Sequence, residues 1–128
     1  MDSTVQPSIN AIETGLQSDR TTQIADVHMS AQELCVQVSS QSWNVNLKFE
    51  SFYGFRVLDE LDLTEFWTQC TLMDGWLFEV RSGGWKDLEL QRPAFLSGQN
   101  EWVKEYLIVG LNECVSVLAK ELPSITPA

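Results

Sequence analysis

The sequence predicts a mainly β domain, an antiparallel meander of about eight strands curled into a half-barrel or folded as a sandwich, with one short helix in the middle. Three observations carry this reading. Residues 43–50, WNVNLKFE, alternate strictly: Trp43, Val45, Leu47 and Phe49 against Asn44, Asn46, Lys48 and Glu50. That period suits a strand with one wet face and no helix. Gly83-Gly84 stands between two apolar runs, where a tight hairpin needs positive φ. Short β-rich runs separated by turn residues recur along most of the chain.

Taken in order, residues 1–20 are polar, with Ile9, Ile12 and Leu16 at helical spacing. They read as an arm or as one short helix from Ser8 to Gly15, and that helix would make the fold α+β. TQIADVHM and ELCVQVSS follow as strands, the second with Leu34, Val36 and Val38 on one face. SSQS turns the chain into WNVNLKFE, and FYGFRVLD continues as a further strand. GWLFEVRS points Trp76, Phe78 and Val80 inward, and WKDLELQ is expected to return beside it as a hairpin partner. RPAFLSGQNE is a longer loop. VKEYLIVG and ECVSVLAK form a last hairpin around Leu111-Asn112, and their β-branched content suits strands buried on both faces. The domain is expected to span residues 21–122, with 123–128 as a tail.

The chain of 128 residues is large enough for one core, and 44% of it is apolar. Its net charge of −10, from 18 acidic and 8 basic residues, disfavours nucleic acid and anionic membrane and suits a basic partner. Cys35, Cys70 and Cys114 are odd in number and widely spaced, which points to reduced thiols rather than a disulfide framework. The N-terminus lacks the basic start and apolar core of a signal peptide, and no apolar run approaches the roughly 20 residues of a span. A cytoplasmic location is expected.

Four carboxylates crowd GFRVLDELDLTEFW, residues 54–67. Asp62 and Glu65 fit a capping box, with Leu61 and Phe66 as the accompanying staple, and Trp67 joins the face that docks on the sheet. Asp59 and Glu60 are left without a structural role. A calcium loop is disfavoured, because Leu61 and Leu63 occupy alternating positions and no Gly is present. Paired carboxylates for glycoside chemistry are conceivable, yet nothing singles out a pair. From Val57 to Val80 there is no Lys or Arg, while Asp59, Glu60, Asp62, Glu65, Asp74 and Glu79 all fall there. Such a segment is either a solvated face or a patch that steers a basic protein partner. The partner-binding candidates are therefore Asp59, Glu60, Asp62, Glu65, Trp67 and Asp74, with Trp added for its weight in interface hot spots.

Other chemistries find little support. His28 is the single histidine, so a Cys-His dyad or a zinc site would need scattered residues to converge. Nucleotide-binding and serine-hydrolase motifs are absent, as is a basic patch interleaved with aromatics. No metal or cofactor is expected.

In size, charge, Trp-rich β content and lack of catalytic residues, the chain resembles the small acidic cytoplasmic immunity proteins that bacteria pair with secreted toxins. The resemblance implies stoichiometric binding of a cognate toxin domain, in many cases a nuclease with a basic cleft, and no enzymatic activity. Two alternatives stand beside it. A curled sheet rich in Trp and Phe suits a small apolar ligand. An enzyme using acidic residues would need two carboxylates in one pocket, one of them with a raised pKa.

Overall fold

The computed structural model describes residues 7–60, 63, 74–95 and 101–128. Among them are nine strands: β1 (Ser8–Ala11), β2 (Gln23–Ser30), β3 (Glu33–Ser39), β4 (Asn44–Glu50), β5 (Phe52–Asp59), β6 (Leu77–Ser82), β7 (Lys104–Val109), β8 (Glu113–Ala119) and β9 (Ser124–Pro127). One short helix, α1 (Trp85–Glu89), lies between β6 and β7. The strands form two antiparallel sheets, a larger one in the order β1-β6-β7-β8-β5 and a smaller one in the order β2-β3-β4-β9. The fold is a sandwich and not a closed barrel.

The alternation read from the sequence is what builds the core. Leu34, Val36 and Val38 of β3 stand opposite Phe49, Leu47 and Val45 of β4, and all six are buried. They pack with Leu77, Tyr106, Ile108, Val115, Val117 and Ala119 of the larger sheet into one cluster. β7 and β8 are central, and every residue after Lys104 and after Glu113 in them is buried, so both of their faces are covered. Leu107, Val109 and Cys114 form a second cluster there with Phe78, Val80 and Leu63. Continuous apolar runs are the expected signature of strands buried on both faces. The chain passes from the smaller to the larger sheet through Ser51 alone, which takes φ 58° to make the bend.

Three elements differ from the sequence reading. Ser8 opens a strand rather than capping a helix: β1 pairs with β6, setting Ile9 against Val80 and Ala11 against Phe78. The expected C-terminal tail carries β9, which covers the edge of β4, with Pro127 at a strand end where a missing N–H is harmless. Residues 85–89 are helical and do not return as a hairpin partner of β6. Both sides of β6 are already taken by β1 and β7, so a hairpin strand there would have no place. Apart from Leu63, which is buried in the second cluster, the short helix expected at Asp62–Glu65, with its cap and staple, falls outside the described residues.

Candidate functional site

The site is set by where the strands of the larger sheet end. β5 finishes at Asp59, directly opposite Glu113, the first residue of β8. The Glu60 N–H donates to the Asn112 carbonyl at 2.9 Å, which holds the next residue against the β7–β8 turn. Gly110 lets that turn close: a Cβ here would stand 2.7 Å from the Glu113 carbonyl oxygen and 2.9 Å from the Ile24 nitrogen. The Leu111 N–H then donates to the Thr22 carbonyl at 2.8 Å, tying the turn to the approach to β2. Asp59, Glu60 and Glu113 thus share one corner.

Cys114, buried just behind this corner, registers the carboxylates. Burial pushes its thiol up to about 11, with the charges of Glu60, Glu113 and Asp59 adding to the effect against the Gly110 backbone hydrogen bond. A thiol held this way is a poor nucleophile. Cys35 is half-buried on β3, with His28 and Lys48 as its register neighbours on β2 and β4. No hydrogen bond joins His28 to Cys35 among the described residues, and Lys48 is ion-paired with Glu33 at 3.3 Å.

Asp74 lies at the same end of the sheet but on its other side. The Trp76 carbonyl accepts from the Val109 N–H at 2.8 Å, which places residues 74–76 at the start of β6. β7 and β8 intervene between β6 and β5. At about 4.8 Å per strand, β6, which Asp74 precedes, and β5, which Asp59 ends, are roughly 14 Å apart across the sheet. Asp74 lines an open cleft of about 410 Å³ whose other wall is residues 11–18, including Glu13. That wall is pinned by indole N–H groups: Trp76 Nε1 donates to the Leu16 carbonyl and Trp43 Nε1 to the Gln17 carbonyl, at 3.0 and 2.8 Å. The two indoles pack with centroids 5.0 Å apart. These tryptophans serve the core and the loop, and neither is an exposed anchor.

Of the six candidates, then, Asp59 and Glu60 come together, Asp74 stands apart, and Asp62, Glu65 and Trp67 fall outside the described residues. Glu113 and Glu13 join the acidic end without having been singled out from the sequence. The pairing of β5 with β8 is what brings Glu113 in, and no local pattern announces a contact between strands so far apart in the chain. The strand ends and turns at this end of the larger sheet, residues 57–60, 74–78 and 107–115, carry no Lys or Arg. Arg81, Lys104 and Lys120 follow from the opposite ends of β6, β7 and β8, with Lys86 on α1 beside them.

That opposite end holds the one described carboxylate whose pKa is raised, Glu105 of β7. Burial is the main cause, opposed by hydrogen bonds from the Lys86 and Trp85 backbone and by the charge of Arg56. Glu105 is 1% exposed, and its two oxygens accept the N–H groups of Trp85 and Lys86 at 3.1 and 2.7 Å. It caps α1 from another element. A cleft of about 330 Å³ nearby brings Glu79, Glu101 and Glu105 together with Lys86. Both Glu105 oxygens are occupied by the helix, which is a structural use of the carboxylate rather than a catalytic one. Among the described residues no group of three or more His, Cys, Asp or Glu side chains is placed to hold a metal ion.

Fold and site define an antiparallel β-sandwich with an acidic end. No family model matches the chain, and neither a curated protein nor a solved structure matches it. Among the described residues no helix is long and apolar enough to cross a membrane.

Proposed function

We propose that this chain is a cytoplasmic protein-binding module that neutralises a basic partner by stoichiometric binding, in the manner of an immunity protein acting on a toxin domain such as a nuclease. The observation that carries the reading is the convergence of Asp59 and Glu60 with Glu113 at one corner of the larger sheet. Asp74 and Glu13 extend the same sign along that end. Like charges gathered where β5 and β8 end would raise the local negative potential and steer a basic partner toward this corner. Association would be steered by charge and completed by apolar contact. The cleft beside Asp74 is open and walled more by polar than by apolar groups, which suits a protein surface better than a small apolar ligand.

The test is parallel capture at low salt with the wild-type chain and with a variant carrying Asp59→Asn, Glu60→Gln and Glu113→Gln. The wild type should retain a basic protein that the variant loses while keeping its circular dichroism and melting point. Equal retention by both would remove the acidic corner from the function.

A further inference from the structure

An edge strand presents a row of backbone N–H and C=O groups that can accept another strand, and folded proteins guard such edges. In the smaller sheet the edges are β2 and β9. β9 is four residues long and closed by Pro127. β2 has eight residues, and the chain is described on both sides of it, from residue 7 to residue 60. Six of the eight are exposed, Met29 to 58%. The β7–β8 turn covers the first end of β2: Gly110 lies against the Ile24 nitrogen, and the Leu111 N–H holds the Thr22 carbonyl. Past that point, among the described residues, no hydrogen bond or ion pair reaches residues 25–30 from anything but β3. This stretch holds no Pro and no Lys, and Asp26 is its single carboxylate.

The side chains of this edge are complementary to themselves. Val27 and Met29 stand opposite the buried Val36 and Leu34, so they belong to the inward face. Asp26 and His28 stand opposite Gln37 and Cys35, on the outer face. A sheet that continues into a second copy must keep inward residues opposite inward ones, because a slip of one residue turns every side chain over. A two-fold antiparallel pairing that obeys this rule centres on one residue, which then faces its own copy. Centring on Asp26 sets two carboxylates face to face, which is destabilising. Centring on His28 opposes two imidazoles and leaves Asp26 against Ser30. Centring on Val27 sets Asp26 against His28 on each side of the axis, where an imidazole N–H can donate to the carboxylate. It also lays the exposed Met29 over Ala25 of the other copy. Centres farther along the open stretch shorten the ladder.

We propose that two copies of this chain pair through β2 in an antiparallel ladder centred on Val27, joining their smaller sheets into one continuous sheet. The contact is isologous, so every interaction occurs twice. Residues 25–29 at about 3.4 Å each give a ladder of roughly 17 Å. The net charge of −10 opposes self-association at long range, but physiological salt screens it beyond about 8 Å. The pairing is independent of the acidic corner, since Glu60 is bonded to Asn112 in the turn that covers the other end of β2.

Sedimentation equilibrium of the full chain at physiological salt, from micromolar to millimolar concentration, tests the pairing. The wild type should rise from the mass of one chain toward that of two. Asp26→His opposes two imidazoles and His28→Asp opposes two carboxylates. Each should raise the dissociation constant about five-fold, since both pairs of the dimer are lost. The two changes move net charge in opposite directions, so general repulsion alone would make Asp26→His associate more tightly than the wild type. Combining Asp26→His with His28→Asp restores the opposed pairs and should return the constant to within about two-fold of the wild type. In the wild type, amide exchange of residues 25–29 should slow as concentration rises. A chain that stays monomeric at millimolar concentration would overturn the proposal. So would dimers that the single variants form as well as the wild type does, losses that the swap does not restore, or protection confined to other strands.

Discussion

Asp19 shows how far a single side chain organises the polar connection before β2. Its carboxylate accepts the Thr21 hydroxyl and N–H at 2.6 and 2.7 Å, and it reaches across to the Ser40 hydroxyl and the Gln41 N–H at 2.6 and 3.2 Å. Led by the Ser40 and Thr21 hydroxyls, these bonds hold its carboxyl down to about 2 from an ordinary 3.8. A lowered carboxylate pKa contributes stability that is complete above the ordinary value and disappears as pH falls through the folded one. Asp19→Asn should therefore melt below the wild type at pH 6, and the two melting points should converge as pH approaches 2. A constant gap across that range would show that the charge is not what matters. Glu113 teaches a different lesson at this scale. Its type and position were visible in the sequence, but its membership of the acidic corner depends on β5 lying beside β8, and pairing between distant strands leaves no local trace.

Elements were legible where burial enforced a period. β3 and β4 alternate because one face is core and the other solvent, and β7 and β8 read as continuous because both of their faces are covered. α1 was misread because five residues are too few to show a period, and its apolar Leu88 remains 55% exposed. What makes it a helix lies elsewhere, in the Glu105 carboxylate that takes its first N–H groups. Gly84 admits that carboxylate: a Cβ there would stand 2.7 Å from Val80 Cγ1 and 2.8 Å from a Glu105 oxygen. Gly84→Ala should cost about 1–3 kcal/mol in urea unfolding, as overpacking beside a buried group does. Glu105 adds a pH dependence of known sign. Its pKa is raised from 4.5 in the folded chain, mainly by burial. Its protonated form is thus favoured by folding, a contribution present below 4.5 and lost as pH rises through the folded value. Relative to Glu105→Gln, the wild type should gain stability as pH is lowered from 7.5 toward 4.5, and urea unfolding across that range would reveal a flat difference if burial were not the cause.

Across the whole molecule, the sandwich distributes charge as well as apolar surface. The net charge of −10 is plain from composition, and it suits a basic partner. Its placement is not plain, because Asp59 and Asp74 look like neighbours in an acidic segment while the sheet sets β7 and β8 between their strands. The topology also puts the cations of β6, β7 and β8 at the end away from Asp59, Glu60 and Glu113, among Glu79, Glu101 and Glu121, so what would favour one orientation of a basic partner is the lack of Lys and Arg on the larger-sheet strand ends around Asp59.

That orientation is the core of the account, and calorimetric titration of the purified captured partner tests it most directly. Binding to the wild-type chain at one to one should weaken as salt is raised from 50 to 300 mM, on the order of ten-fold for a charge-steered interface. The variant with Asp59→Asn, Glu60→Gln and Glu113→Gln should bind at least about ten-fold more weakly at low salt and show little further salt dependence. Equal affinity of the two chains at both salt concentrations would contradict the account.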